Sequence, residues 1–228
     1  MSLPTLENVS SSRRKWFGLL RRKESWSLTG RGWLALLVTF IGGGIIGMRS
    51  VHGFLAVNAP VHSGVLVIEG WVHEYALTNF IARARYDMIY TTGGPTLTDR
   101  QSRDDSDTYA SVAMKRLFKL GVPRAKVRMV PCWVSRRDRT FASAVALHEW
   151  GVSNRVEFPA FDVVTLGVHA RRSRLLAQKA FPNARVGVVS VLNEDYDPEH
   201  WWRYSEGVKE TLSEAMAYLY SRFLFSPE

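Results

Sequence analysis

Short apolar stretches alternate with helical periods along most of this chain, and one long apolar run precedes them. The stretches are Val65–Ile68, Met88–Thr92, Val127–Val130, Phe161–Leu166 and Val186–Ser190. Such nearly unbroken apolar runs mark strands covered on both faces, as in a parallel sheet. Between them the spacing predicts helices over 74–85, 108–120 and 138–150, another after His169, and a long last one from about His200 to Phe223. That last helix carries an apolar stripe through Val208, Leu212, Met216 and Leu219. Gly121 followed by Pro123 stops the second helix, and Gly151 is expected to stop the third. Strands alternating with helices predict an α/β fold: a doubly wound, mostly parallel Rossmann-like sheet of about five strands, preceded by one transmembrane helix.

The transmembrane expectation rests on Gly32–Met48 (GWLALLVTFIGGGIIGM), which has no charge in 17 residues. A helix of that length spans roughly 26 Å, slightly under the ~30 Å hydrocarbon core, and Arg49 can snorkel to lengthen it. A cleaved signal peptide fits poorly, because the segment before the run is long and no small-x-small site follows. Ser12–Phe17 faintly resembles a twin-arginine signal, but the charged Arg21–Glu24 stretch separates it from the run. A buried core helix is disfavoured by Gly42-Gly43-Gly44.

Charge refines this picture. Residues 1–32 hold seven basic against two acidic residues, so more than half of the net +9 lies in that tail. The basic balance is therefore weak support for nucleic-acid binding, and no nucleic-acid partner is expected. Only Arg49 lies just after the run, so the lysine and arginine asymmetry puts the N-terminus inside. The expected organisation is a basic cytoplasmic tail over 1–31, an anchor and linker over 32–55, and an extracytoplasmic α/β domain over 60–228. In a bacterium with two membranes that domain is periplasmic, and the cytoplasmic membrane is its first partner. The single cysteine, Cys132, allows no intrachain disulfide. His73, His148 and His200 lack metal-ligand spacing, and neither a metal nor a cofactor is expected.

In doubly wound sheets ligands bind beyond the carboxyl ends of the strands. That edge gathers Glu69 and Trp71, the pair Gly93-Gly94, the loop Arg136–Thr140 and Gly167–Arg172. Val163–Arg174 reads as strand, tight turn and helix, with His169, Arg171, Arg172 and Arg174 at the helix start. Cations there oppose the helix dipole, and an anion at the turn would reconcile them. The plainer alternative is arginines pointing into water. Arg136, Arg137 and Arg139 repeat the pattern at a second helix start, where Asp138 is a candidate cap. Glu69 is either a solvent-facing carboxylate or an acid–base group, and Asp107 either a first-turn acid or a pocket carboxylate. The Trp201-Trp202 pair reads as core packing.

Taken in order, VLVIEG, YTTGG, SDTYA, GVP, RTFASA and VVTLGVHARR, followed by a helix opening with WW, resemble the SanA/ElyC/YdcF family of envelope-associated bacterial domains. The resemblance covers residues ~62–223. It implies a pocket formed by Gly93, Gly94, Asp107, Thr140, His169 and Arg172. Phe141 and Ala142 replace the family's usual acid–asparagine pair, Asp107 stands for its glutamate, and Glu69-Gly70-Trp71 replaces a leucine–glycine turn.

Two functions follow as expectations. One is a hydrolase or transferase acting on a phosphate-bearing, small or lipid-linked envelope metabolite, in peptidoglycan or polyprenyl-lipid carrier metabolism. Arg172, with Arg171 or Arg139, would hold the phosphate, beside Gly93, Gly94 and Thr140. His169 would move the proton, with Glu69 or Asp107 orienting it or acting as base. The other is a non-catalytic binding or assembly factor using the same pocket. A nucleotide or S-adenosylmethionine site is a weaker third, because Gly-x-Gly-x-x-Gly is absent.

Overall fold

The computed structural model describes residues 28–96, 104–134 and 138–226. Most of the basic tail, together with Arg136 and Arg137, lies outside the described residues. Helix α1 (Gly30–Leu55) contains the uncharged run and is long and apolar enough to cross a membrane. Its large side chains Leu34, Leu37, Phe40, Ile41 and Ile46 are exposed. That display suits a helix solvated by lipid, with every backbone bond satisfied internally. Contacts divide the chain after Gly43. Everything from Gly44 onward, the end of α1 included, belongs to one compact unit.

That unit is built from β1 (Val65–Glu69), α2 (Glu74–Ile81), β2 (Met88–Gly93), α3 (Tyr109–Lys119), β3 (Val127–Pro131), α4 (Arg139–Asn154), β4 (Ala160–Leu166), α5 (Ala170–Ala180), β5 (Arg185–Val191) and α6 (Ser205–Phe223). The strands form one all-parallel sheet in the order β3-β2-β1-β4-β5. Alternate residues of each strand feed opposite layers. Leu66, Ile68 and Val164 pack against Leu77 of α2 and Leu117 of α3, while Val67, Phe161 and Val163 pack against Leu147 of α4 and Ala177 of α5. The architecture is α/β and Rossmann-like. The chain leaves β1 toward β2 on one side and returns through β4 on the other. A crevice therefore opens between the carboxyl ends of β1 and β4, the place such sheets reserve for ligands.

Some element ends differ from the sequence expectation. Helix α2 stops at Ile81, short of 85. Helix α4 runs past Gly151 to Asn154 and ends on Arg155, which adopts a left-handed conformation. Gly151 is there for packing, since a Cβ on it would sit 2.7 Å from the Phe158 ring. The last helix starts only at Ser205, because a 3₁₀ turn over Pro198–Arg203 with a non-helical His200 comes first. Its faces are also arranged unexpectedly. Gly207, Thr211, Glu214 and Ser221 point inward, while Leu212, Met216 and Leu219 are each at least half exposed. Of the tryptophan pair, Trp201 is buried and Trp202 only partly so.

The linker after α1 runs along the β5 edge. Ala59 and Val188 exchange both backbone hydrogen bonds, at 2.8 and 3.1 Å, in an antiparallel bridge. The fully buried Asp162 then accepts hydrogen bonds from the backbone N–H of Val61 (2.6 Å) and His62 (2.9 Å) and from the Tyr86 hydroxyl (3.1 Å). His62 has φ of 52°, a conformation unfavourable for a residue with a side chain, and the carboxylate holds it there.

Gly70 follows β1 at the crevice, and its N–H donates to Thr92 O at 2.7 Å. A Cβ here would lie 2.2 Å from the Tyr109 carbonyl oxygen and 2.7 Å from that of Thr92. Both obstacles are backbone. Gly70→Ala is therefore expected to destabilise the fold by about 2–3 kcal/mol, read as a lower denaturation midpoint. An unchanged midpoint would show that α3 yields freely.

Candidate functional site

The crevice is a cavity of about 420 Å³. Its walls come from the carboxyl ends of β1 and β2, from the turn after β4 and from the starts of α3, α4 and α5, with Ala217, Tyr220 and Ser221 of α6 closing it. Gly93, the last residue of β2, and Gly94 after it are at the wall, and Glu69, Arg139, Thr140, His169 and Arg172 all line it.

Glu69, the last residue of β1, is only 7% exposed and is not the solvent-facing carboxylate of the plainer expectation. The Thr165 hydroxyl donates to its Oε2. Burial raises the Glu69 pKa above the ordinary carboxyl value. The Thr165 bond, a looser contact from Ser173 that misses hydrogen-bond geometry, and the charges of His169 and Arg172 oppose the rise without cancelling it. A carboxyl so placed can hold a proton nearer neutrality than a surface glutamate.

Gly167, with φ of 50°, turns the chain sharply out of β4. The turn sets His169 at the start of α5, with its ring edge-on to Trp71 at 4.5 Å between centroids. Arg172 follows in the first turn. Its fork is closed by Glu214 of α6, with Nε donating to Oε2 at 2.7 Å and Nη2 to Oε1 at 2.8 Å. Nη1 reaches Thr140 Oγ1 at 3.3 Å. His169 Nδ1 comes within 2.9 Å of Glu214 Oε1, out of line for a straight N–H···O bond. Burial alone would raise the Glu214 pKa. The close approach of His169, the hydrogen bonds of Arg172 and the charges of both outweigh it and hold the group down at about 2. Burial would lower the Arg172 pKa, and Glu214 reverses that into a rise. The anion that the basic helix start demands is thus a carboxylate of the protein itself.

The other arginines diverge. Arg171 leaves the cavity: its Nε donates to Phe54 O, and its guanidinium lies 3.9 Å from the Phe54 ring centroid. Successive helix residues point about 100° apart, so Arg171 and Arg172 cannot share a target. Arg174 Nε donates to Val186 O at 2.9 Å. Asp107 is also away from the walls. Its side chain is exposed, and its carbonyl accepts from Thr96 N and Oγ1. The α3 cap is Thr108, whose Oγ1 accepts from Ser111 N at 3.2 Å. Tyr109, next in sequence, lines the cavity instead, with the Arg139 guanidinium 5.8 Å from its ring centroid.

The start of α4 opens on the same cavity. Asp138 precedes it in a left-handed conformation and makes no side-chain capping bond. The unpaired N–H groups of a helix start, Arg139 and the Thr140 hydroxyl therefore converge on one wall. Among the described residues Arg139 has no carboxylate partner, and no three His, Cys, Asp or Glu are grouped as a metal site. Trp71, placed at this edge by the sequence, lines the cavity, whereas Tyr109, Ser143, Tyr220 and above all Glu214 were not singled out by sequence reasoning. For Glu214 the only signal was the spacing of Gly207, Thr211, Glu214 and Ser221, a narrow small and polar seam along one side of α6.

Compared with models of known protein families and with curated proteins, the chain matches none.

Proposed function

We propose that the cavity binds a phosphate-type anion and that the protein is a membrane-anchored hydrolase or transferase for a phosphate-bearing metabolite of the cell envelope. The observation that carries this reading is that two walls of different chemistry share one cavity. On one, the uncapped start of α4, Arg139 and Thr140 offer donors and positive charge. On the other, Glu69 and His169 offer a carboxyl of raised pKa and an imidazole. Phosphate held at the first wall meets proton donors and acceptors at the second, the arrangement general acid–base chemistry needs. Arg172 contributes through Nη1, since Glu214 engages its other two nitrogens. The seven basic residues before the apolar run favour a cytoplasmic N-terminus, with the α/β unit on the far side of the membrane. The motif resemblance to the SanA/ElyC/YdcF family supports the same setting.

A non-catalytic binding factor is the second reading. It is favoured by the Glu214 clamp, which fixes Arg172 and crowds His169 in the manner of a rigid receptor.

Inorganic phosphate and 4-nitrophenyl phosphate test both. Arg139→Ala is expected to weaken phosphate binding about tenfold, the loss of one charge-assisted contact. His169→Ala is expected to leave affinity nearly unchanged while lowering turnover by about 10²–10⁴. Affinity lost with His169 and no turnover in the parent protein would favour the binder. Absence of any phosphate binding would overturn both.

A further inference from the structure

We propose that the cavity opens toward the bilayer and takes its phosphate group from the headgroup of a membrane-resident amphiphile rather than from a freely dissolved compound. This rests on the reading of α1 as a membrane span and of the cavity as a phosphate site.

The direction of the chain fixes which edge of the sheet meets the membrane. All five strands run the same way, and Ala59 crosses Val188 antiparallel to them. The linker therefore travels from the carboxyl edge of the sheet toward its amino edge, and the residues before it lie at the carboxyl edge. The contacts of the last turns of α1 agree. The Trp201 indole N–H donates to Met48 O at 3.2 Å, and Arg49 lies 6.0 Å from the Trp202 ring. The buried His52 meets the Tyr196 hydroxyl at 3.2 Å, and Phe54 touches Arg171 and Tyr218. Tyr196, Trp201 and Trp202 follow β5, and Arg171 follows β4, so these partners all come after carboxyl ends of strands.

Met48 closes the uncharged run, and Phe54 lies six residues further on. At ~1.5 Å per residue, that puts Phe54 and its partner Arg171 only about 9 Å along the helix from the end of the apolar run. Arg172, one residue beyond Arg171, is a wall of the cavity. Trp202, the exposed Tyr204 and Arg49 supply the aromatic and basic groups that favour the headgroup layer. A phosphate on a lipid headgroup reaches a cavity at this height, and its apolar part stays in the bilayer.

The test uses the full chain in phosphatidylcholine vesicles that also hold a headgroup-nitroxide lipid. A fluorophore is placed through Tyr204→Cys at the carboxyl edge or through Lys126→Cys, just before β3 at the amino edge; Cys132 is buried. Quenching is expected at 204 and not at 126. Quenching at 126, or at neither site, in protein that floats with the vesicles overturns the orientation. Protein that fails to float overturns the membrane reading and this inference with it. In a second arm, phosphatidic acid in the vesicles is compared with soluble glycerol 3-phosphate, read as a change in Trp71 emission that Trp71→Phe removes. Retention in one membrane raises effective concentration, so phosphatidic acid is expected to saturate at a bulk concentration about tenfold lower or less, and Arg139→Ala to weaken both. Equal saturation overturns the headgroup source while sparing the phosphate site. No response to either overturns the phosphate reading itself.

Discussion

Replacing Glu214 with alanine is expected to destabilise the protein by about 3–5 kcal/mol, a fall of roughly 10 °C in Tm for a chain of this size. The reason is the Arg172 guanidinium, whose side chain is 19% exposed and would be left without its partner beside His169. Exchanging both members of the pair for leucine is expected to recover much of the loss, because neither charge of the pair is then left buried without the other. Thermal denaturation in detergent, followed by near-ultraviolet circular dichroism, measures each variant. A cost below about 1 kcal/mol for Glu214→Ala would mean that the pair behaves as a surface ion pair. The same interaction sets an acid limit. The Glu214 carboxyl is held down at about 2 from an ordinary value of 4.5. A depressed carboxyl contributes stability that is complete above its unfolded value and is lost as pH falls through its folded one. Stability is therefore expected to drop between pH 4.5 and about 2, by of order 3 kcal/mol from this group. Glu214→Gln is expected to flatten that part of the profile.

Asp162→Ala is the second large effect, expected at about 3–5 kcal/mol. Its carboxylate satisfies two backbone N–H groups and one hydroxyl with no exposure to solvent. Asp162→Asn, which keeps one acceptor oxygen, is expected to cost roughly half as much. The Tyr86 hydroxyl reports on the site independently. Burial raises its pKa, and the charge and hydrogen bond of Asp162 raise it further. In Asp162→Asn the phenol is expected to titrate lower than in the parent protein, and the linker to be cleaved faster by added protease. A variant with an unchanged phenol titration would show that Asp162 does not control this corner.

The sheet was legible because its strands are apolar on both faces: in Leu66–Ile68 each residue is buried in one of two opposite layers. The crevice was legible through topology, which brings the ends of β1 and β4 together wherever such a strand order occurs. Glu214 was not, because it meets Arg172 from 42 residues away, on a helix whose conspicuous stripe faces outward. Neighbouring arginines were read as a unit, yet the helix twist sends Arg171 to Phe54 and Arg172 to Glu214. Asp107 looked like a pocket acid by its place before α3. The turn directs Tyr109 to the wall instead.

The bridge between Ala59 and Val188 also has a bearing on solubility. β5 is a border strand, and unpaired N–H and C=O groups along a border invite pairing with another chain. Covered at its midpoint by residues that follow α1, it offers no continuous template for a foreign strand. Removing the chain through residue 59 would take the guard away together with α1, and the remaining domain would gain a tendency to aggregate through β5.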